Sequence, residues 1–118
     1  MGFQIRSKTD IYKIPSFGGI SNVYFADCIG TESDKISNPI VGAWFRIEKG
    51  PESTPPKYEY DEIGVVIMGE MSFRDESGET VTVTAGDTFY FPRGSTITFF
   101  SNSYGVAWKC GSRHLSKL

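Results

Sequence analysis

Leucine and alanine are almost missing from this chain: together they supply 6 of its 118 residues. So few strong helix formers exclude a helical bundle. Histidine occurs once, at His114, and cysteine twice, at Cys28 and Cys110. Two distant cysteines make neither a disulfide framework nor a zinc ribbon. They read as buried free thiols in a reducing compartment. No excess of one charge is present either. Twelve basic against 14 acidic side chains leave a net charge of −2, which excludes a strongly basic nucleic-acid binder. The longest uncharged apolar run, Ile63 to Met68, is six residues, far short of the roughly 20 that cross a membrane. No charged start followed by an apolar stretch opens the chain, so no secretory signal is expected. A Gly-x-x-x-x-Gly-Lys-Ser/Thr phosphate loop is also missing; Phe17-Gly18-Gly19 does not match it.

What is abundant points the other way. Thr, Val, Ile, Phe, Tyr and Trp total 44 of 118 residues, and such side chains suit a pleated, half-buried surface and crowd a helix. Thirteen glycines and six prolines supply turns. The expectation is an all-β protein, a small antiparallel barrel of jelly-roll type. The length allows one domain, 1–118. It divides into an irregular segment 1–39, a strand-rich core of about 40–110, and a polar tail 111–118.

The first segment offers short strand-like pieces at Phe3–Arg6, Tyr12–Ile14 and Val23–Cys28, and Thr31–Pro39 reads as a loop. Ile40 to Glu48 then alternates. Val41, Ala43, Phe45 and Ile47 share one face; Trp44, Arg46 and Glu48 share the other. Gly50 to Pro56 is a loop stiffened by three prolines. Tyr58 to Met68 reads as the next long strand, with a turn expected at Gly69-Glu70. Met71–Arg74 pairs with Val81–Thr84 across a turn at Glu76-Ser77-Gly78. Thr88–Phe91, Thr96–Phe100 and Val106–Cys110 complete the set, separated by turns at Ala85-Gly86-Asp87, Pro92-Arg93-Gly94 and Ser103-Tyr104-Gly105.

Two of these segments resemble the cupin superfamily (RmlC-like barrels). Glu62, six residues and then Gly69-Glu70 is similar to the end of the first cupin motif. Gly86-Asp87-Thr88-Phe89-Tyr90-Phe91-Pro92-Arg93-Gly94 is similar to the second. Tyr60-Asp61-Glu62-Ile63, Met68-Gly69-Glu70, Ala85-Gly86-Asp87, Pro92-Arg93-Gly94-Ser95 and Ala107-Trp108 resemble the ethanolamine-utilisation EutQ-type branch. The likeness runs from about Val41 to Trp108. It implies a cupin barrel with the Glu62 face inside.

Metal-binding cupins supply two His before their motif Glu and one more in the second motif. Here the first stretch is Pro55-Pro56-Lys57-Tyr58, and the second-motif position holds Ile97. Losing three imidazoles removes the donors that borderline transition metals favour, so no metal or other cofactor is expected; the alternative is a hard ion held weakly by Glu62 with a Tyr or Asp. What remains is Lys57-Tyr58-Glu59-Tyr60-Asp61-Glu62. In an extended chain Tyr58, Tyr60 and Glu62 fall on one face and Lys57, Glu59 and Asp61 on the other. Two phenols and a carboxyl inside a barrel make a proton-handling set, and apolar walls would raise the carboxyl's pKa. Glu62, Tyr58 and Tyr60 are therefore the candidate catalytic residues; Asp61 and Glu59 read as solvated.

Candidate substrate-binding residues are Arg46, Trp44, Tyr90, Phe99 and Trp108, with Ile97 beside them. If the Trp44/Arg46 face lines the barrel, Arg46 can hold a carboxylate or enolate and Trp44 walls the cavity. If it faces outward, Arg46 is a surface or dimer-contact charge. Lys57 and Lys109 read as surface cations, and His114 as an exposed tail residue.

Three functions follow. One is a metal-independent enzyme of isomerase, lyase or cyclase type acting on a small carbonyl- or carboxylate-bearing metabolite. Another is a non-catalytic small-molecule-binding or scaffold cupin, since fold alone implies no activity. A third is a EutQ-like role in ethanolamine or acetyl metabolism. Cupins commonly dimerise, and the Ile63, Val65, Ile67 face offers apolar area for a homodimer unless the N-terminal segment covers it. Ser116-Lys117-Leu118 reads as a peroxisomal import address, a receptor-read signal and no anchor; without that address the location would be cytoplasmic. Neither a nucleic acid nor a membrane is an expected partner.

Overall fold

The computed structural model describes residues 2–116. Its elements, in chain order, are a single 3-10 turn (Ile11–Lys13) and seven strands: β1 (Val23–Gly30), β2 (Val41–Glu48), β3 (Glu62–Arg74), β4 (Thr80–Thr84), β5 (Thr88–Phe91), β6 (Thr98–Phe100) and β7 (Tyr104–Gly111). Every pairing is antiparallel, in the order β1-β2-β7-β3-β4 with β5 and β6 also on β3. The all-β barrel expected from composition is the fold observed.

The long strand β3 organises it. Its first half pairs with β7 and β5, and its second half, from Glu70, pairs with β4 and β6. A register shift between Val66 and Met68 bends the strand from one sheet into the other. Gly69 completes the bend at φ 74°, and a Cβ there would lie 2.1 Å from the Tyr104 carbonyl oxygen. Where a turn was expected at Gly69-Glu70, β3 runs on as one continuous strand just past the bulge, with Gly69 paired to Gly105 and Glu70 to Thr84. A positive φ is common to tight turns and to this sharp bend, which is why the glycine reads as a turn.

The start of β3 also differs from expectation. Tyr58 to Asp61 lie outside any strand, and β3 begins at Glu62. Pro55 and Pro56 supply no ladder donors. The Tyr58 N–H instead donates to the Ser95 carbonyl (2.9 Å), and the Gly94 N–H donates to the Tyr58 carbonyl (2.8 Å). Phe3–Arg6 and Tyr12–Ile14 form no strand either; Tyr12 sits in the 3-10 turn, capped by Asp10. Val23–Gly30 does pair, adding the N-terminal segment to the barrel against β2.

The interior is aromatic. Phe45, Phe73, Phe91 and Phe99 are buried, and Phe89 packs against them. Their ring centroids lie 4.9–5.8 Å apart in tilted and edge-on pairs, contacts worth roughly 0.5–1.5 kcal/mol each beyond area burial. Phe73, Phe89 and Phe91 fill one end of the barrel, and Phe45 and Phe99 reach the other. The other end is open.

Candidate functional site

The open end is a cavity of about 610 Å³ walled by Phe17, Phe25, Phe45, Phe99, Tyr58 and Tyr60. Its polar floor is Glu62, Lys109 and the Tyr58 hydroxyl, with Arg113 at one side. Glu62 opens β3 and points inward, only 3% exposed. Tyr58 is held over it by the two backbone bonds to Gly94 and Ser95, and its hydroxyl donates to Glu62 Oε1 at 2.9 Å. Tyr60 stacks on Tyr58, centroids 5.3 Å apart. The three catalytic candidates read from the sequence therefore share one pocket. Burial pushes the Tyr58 phenol far above its ordinary range, and the Glu62 charge adds to the push. Tyr60 is raised for the same two reasons, in the same order. Both phenols stay protonated at neutral pH and can donate hydrogen bonds.

Lys109, expected at the surface, is a buried cation on the cavity floor. It is 3% exposed, and its Nζ lies 3.5 Å from Glu62 Oε1. Its cross-strand neighbours are Ala43 and Gly64, whose small side chains leave room for a long one to cross the barrel floor. The ammonium sits 3.9 Å from the Phe45 ring centroid and 4.4 Å from that of Phe99, within cation–π range. Burial lowers the Lys109 pKa; Glu62 pulls the other way and Arg113 reinforces the fall.

Arg113 is the second residue missed. It reaches from the tail across the cavity wall and forms a two-pronged pair with Asp27 of β1, both contacts 2.7 Å. Its guanidinium lies 5.1 Å from the Tyr60 ring centroid. The Asp27 hydrogen bonds hold Arg113 well above its ordinary range despite partial burial. Burial would raise Asp27, but the Arg113 bonds and the Ser116 N–H outweigh it and keep that carboxyl low. The tail is thereby fastened to the barrel. Leu115 N–H donates to Thr31 O, and His114 Nε2 donates to Ile36 O at 2.9 Å. His114 is half-buried and structural, where free exposure was expected. Of the Ser116-Lys117-Leu118 address, only Ser116 is described; Lys117 and Leu118 lie outside the described residues.

Four of the five substrate-binding candidates lie elsewhere. Val41, Ala43, Phe45 and Ile47 face the core, so Trp44 and Arg46 face outward. Arg46 is nevertheless buried, because the N-terminal segment folds over it. Its Nε donates to the Ile11 carbonyl, its guanidinium pairs with Glu48, and it stacks 3.8 Å from the Tyr24 ring centroid. Trp108 also faces outward, edge-on to Trp44 at 4.9 Å. Tyr90 is 60% exposed and its hydroxyl donates to Asp61. Phe99 alone of the five lines the cavity. Lys57, Glu59 and Asp61 are exposed, as expected; Asp61 also accepts from the Arg93 N–H and so anchors the second-motif turn.

Lys109 left one signal in the sequence. In β7 either Val106, Trp108 and Cys110 or Ala107, Lys109 and Gly111 must face inward. Bulk favours the first set; a buried Glu62 needing a counter-charge favours the second.

Among the described residues, no three His, Cys, Asp or Glu side chains gather where they could hold a metal ion. A cation beside Glu62 would also meet the Lys109 ammonium. This donor set does not fit the resident metal typical of the fold.

A family model described as the EutQ-like cupin domain matches residues 40–109. The acetate kinase EutQ of Salmonella typhimurium strain LT2 is 47% identical over 45 residues, 38% of this chain and 19% of that protein. The chain thus spans about a fifth of the curated relative it matches. Among solved structures, ethanolamine utilization protein Q from Salmonella typhimurium LT2 superposes with a TM-score of 0.67 at 28% identity, over 84% of this chain and 77% of that one. The Clostridium difficile EutQ protein superposes with a TM-score of 0.69 at 21% identity, over 91% and 74% of the two chains.

Proposed function

We propose, proceeding from the fact that the chain belongs to the EutQ-like cupin domain family, that its barrel is a metal-independent acid–base site. The substrate is a small carbonyl- or carboxylate-bearing metabolite, and the reaction is of isomerase, lyase or cyclase type. One observation carries this reading: Glu62, the Tyr58 hydroxyl and Lys109 converge on the floor of an open, ligand-sized cavity. A scaffold has no need of a buried charge pair facing an unfilled pocket. Had Trp108 pointed inward beside Phe99, the cavity would be closed; it points outward instead.

In this reading the apolar walls exclude water and the floor handles the proton. Glu62 takes a proton from a carbon next to the substrate's carbonyl or carboxyl group. The Tyr58 hydroxyl donates to the oxygen on which charge develops, and Lys109 stabilises that charge. The cations of this pocket would also suit a carboxylate such as acetate. That keeps a role in acetyl metabolism as a second reading, although no phosphate loop supports phosphoryl transfer.

The test has two parts. Protein purified without chelator or a nickel column is assayed for metal by plasma mass spectrometry; less than stoichiometric transition metal is expected. Small oxo acids and carboxylic acids are then screened by thermal shift, and the stabilising compound is assayed for turnover. Glu62→Gln should lower turnover by about 10²–10⁴-fold, and Tyr58→Phe, which keeps the ion pair, should lower it in the same direction. Full turnover in Glu62→Gln, or one transition metal per chain, would make the reading wrong.

A further inference from the structure

The acid–base reading uses Lys109 as a fixed charge, yet its surroundings suit a different task. An amine becomes a nucleophile when it is desolvated in an apolar pocket or placed beside another cation. Lys109 meets the first condition: Phe45, Phe99 and Phe25 surround its Nζ at 3.9, 4.4 and 5.8 Å from their ring centroids, and a second cation, Arg113, lines the same cavity. A carboxylate able to take its proton stands 3.5 Å away, and a phenol is bonded to that same carboxylate. A structural buried lysine needs a partner for its charge; it does not need an open cavity and a proton relay.

We propose that Lys109 captures an aldehyde or ketone substrate as a covalent imine. The inference rests on the pocket assignment above and narrows its substrate class to carbonyl compounds. Lys109 passes a proton to Glu62, and the freed nitrogen lone pair forms a C–N bond to the carbonyl carbon. The C=O π pair moves to oxygen, which takes the Tyr58 proton. In the same step the nitrogen of the adduct returns one of its two protons to the Tyr58 oxygen, so no free phenolate is left in the apolar pocket. The hydroxyl of the carbinolamine then leaves as water with the proton held by Glu62. The sum is ammonium plus carbonyl giving protonated imine plus water, with nothing oxidised or reduced. That protonated imine is an electron sink, so the regenerated Glu62 carboxylate can remove a proton from the adjacent carbon. That is the step an isomerase or lyase requires.

Reductive trapping on the full chain tests it. The protein is incubated at neutral pH with cyanoborohydride and, separately, with pyruvate, propionaldehyde and cyclohexanone, and the adducts are located by peptide mapping. Lys57, exposed at the cavity mouth, is the internal reference. With at least one probe, Lys109 should be trapped about tenfold faster than Lys57, and Lys109→Arg should lose that adduct while Lys57 still reacts. Trapping at Lys57 equal to or ahead of Lys109 with all three probes overturns the proposal, and needs only the wild-type chain. Thermal shift without the reductant separates the two readings. Stabilisation by a probe with no Lys109 adduct sinks the imine and leaves the acid–base pocket standing. No stabilisation by these probes or by the oxo and carboxylic acids, and no adduct, sinks both.

Discussion

Glu62 and Lys109 are each about as buried as any leucine in a core, and among the described residues each forms its salt bridge with the other. Taking one partner away leaves the other desolvated and unpaired, which typically costs about 3–5 kcal/mol. Replacing both by neutral groups of similar shape costs much less, because the desolvation penalty disappears with the attraction. Glu62→Gln and Lys109→Met should therefore each lower stability by about 3–5 kcal/mol, and the double variant by clearly less than the sum. Urea unfolding followed by circular dichroism measures it; additive costs below about 1 kcal/mol would show that the pair does not hold Lys109 in place. Half of this pair was legible in the sequence. Glu62 is announced by motif spacing, and Tyr58 and Tyr60 by their parity with it. Lys109 was not, because the inward face of β7 turns on a choice between Trp108 and Lys109 that local pattern cannot make. Trp108 finds its aromatic partner outside, on Trp44, and that pairing depends on a register between β2 and β7 set by the whole sheet.

Strands whose alternation is apolar on one face were readable to within a residue or two: β2, the β3–β4 hairpin and β1 all stand where the pattern places them. Elements whose position comes from distant backbone bonds were not. Tyr58–Asp61 bends at Glu59 and Tyr60 and belongs to no sheet; the Tyr58 backbone is held by Gly94 and Ser95 instead. The tail reads as free polar chain, yet it is a strap closed by Arg113 on Asp27. That strap carries a pH dependence. The folded-state pKa of Asp27 lies below its ordinary 3.8. Above pH 3.8 the carboxylate is charged in both folded and unfolded chains and its contribution is complete. Between 3.8 and the lower folded value the unfolded chain binds more protons, so stability falls as pH falls. Asp27→Asn should cost about 1–2 kcal/mol at pH 7, after allowing for the partial exposure of Arg113, and should flatten the loss of stability between pH 4 and 3. Urea midpoints at stepped pH check both. An unchanged acid slope in the variant would assign the slope to other carboxylates, such as Glu70, whose pKa is also low: burial raises it, but bonds from Ser101, Ser103 and the Asn102 N–H outweigh that.

At the scale of the whole molecule, the two faces of the main sheet have different fates. The inner face builds the cavity. The outer face is only partly covered: the N-terminal segment packs over Arg46 and the Trp44 end, held by the Arg46–Ile11 bond, but leaves Ile63 57% and Ile67 43% exposed with Tyr90 beside them. Ile63 and Tyr90 are cross-strand partners on neighbouring strands and form one open apolar area. We propose that a second copy of the chain covers it. A two-fold arrangement lets the same patch meet itself without leaving an open end, and a partner there lies on the side of the sheet away from Glu62, so the cavity mouth stays accessible. The wild-type chain should sediment as a dimer at micromolar concentration. Ile63→Lys, which sets two like charges near the two-fold axis, should shift it to monomer while leaving ligand-induced thermal shifts at the cavity intact. A wild-type monomer under these conditions would mean that the exposed isoleucines are tolerated as they stand. Loss of ligand response on monomerisation would mean instead that the outer face supports the inner one, with the strain carried through β3, the one strand that contributes Glu62 to the cavity floor and Ile63 to the opposite face.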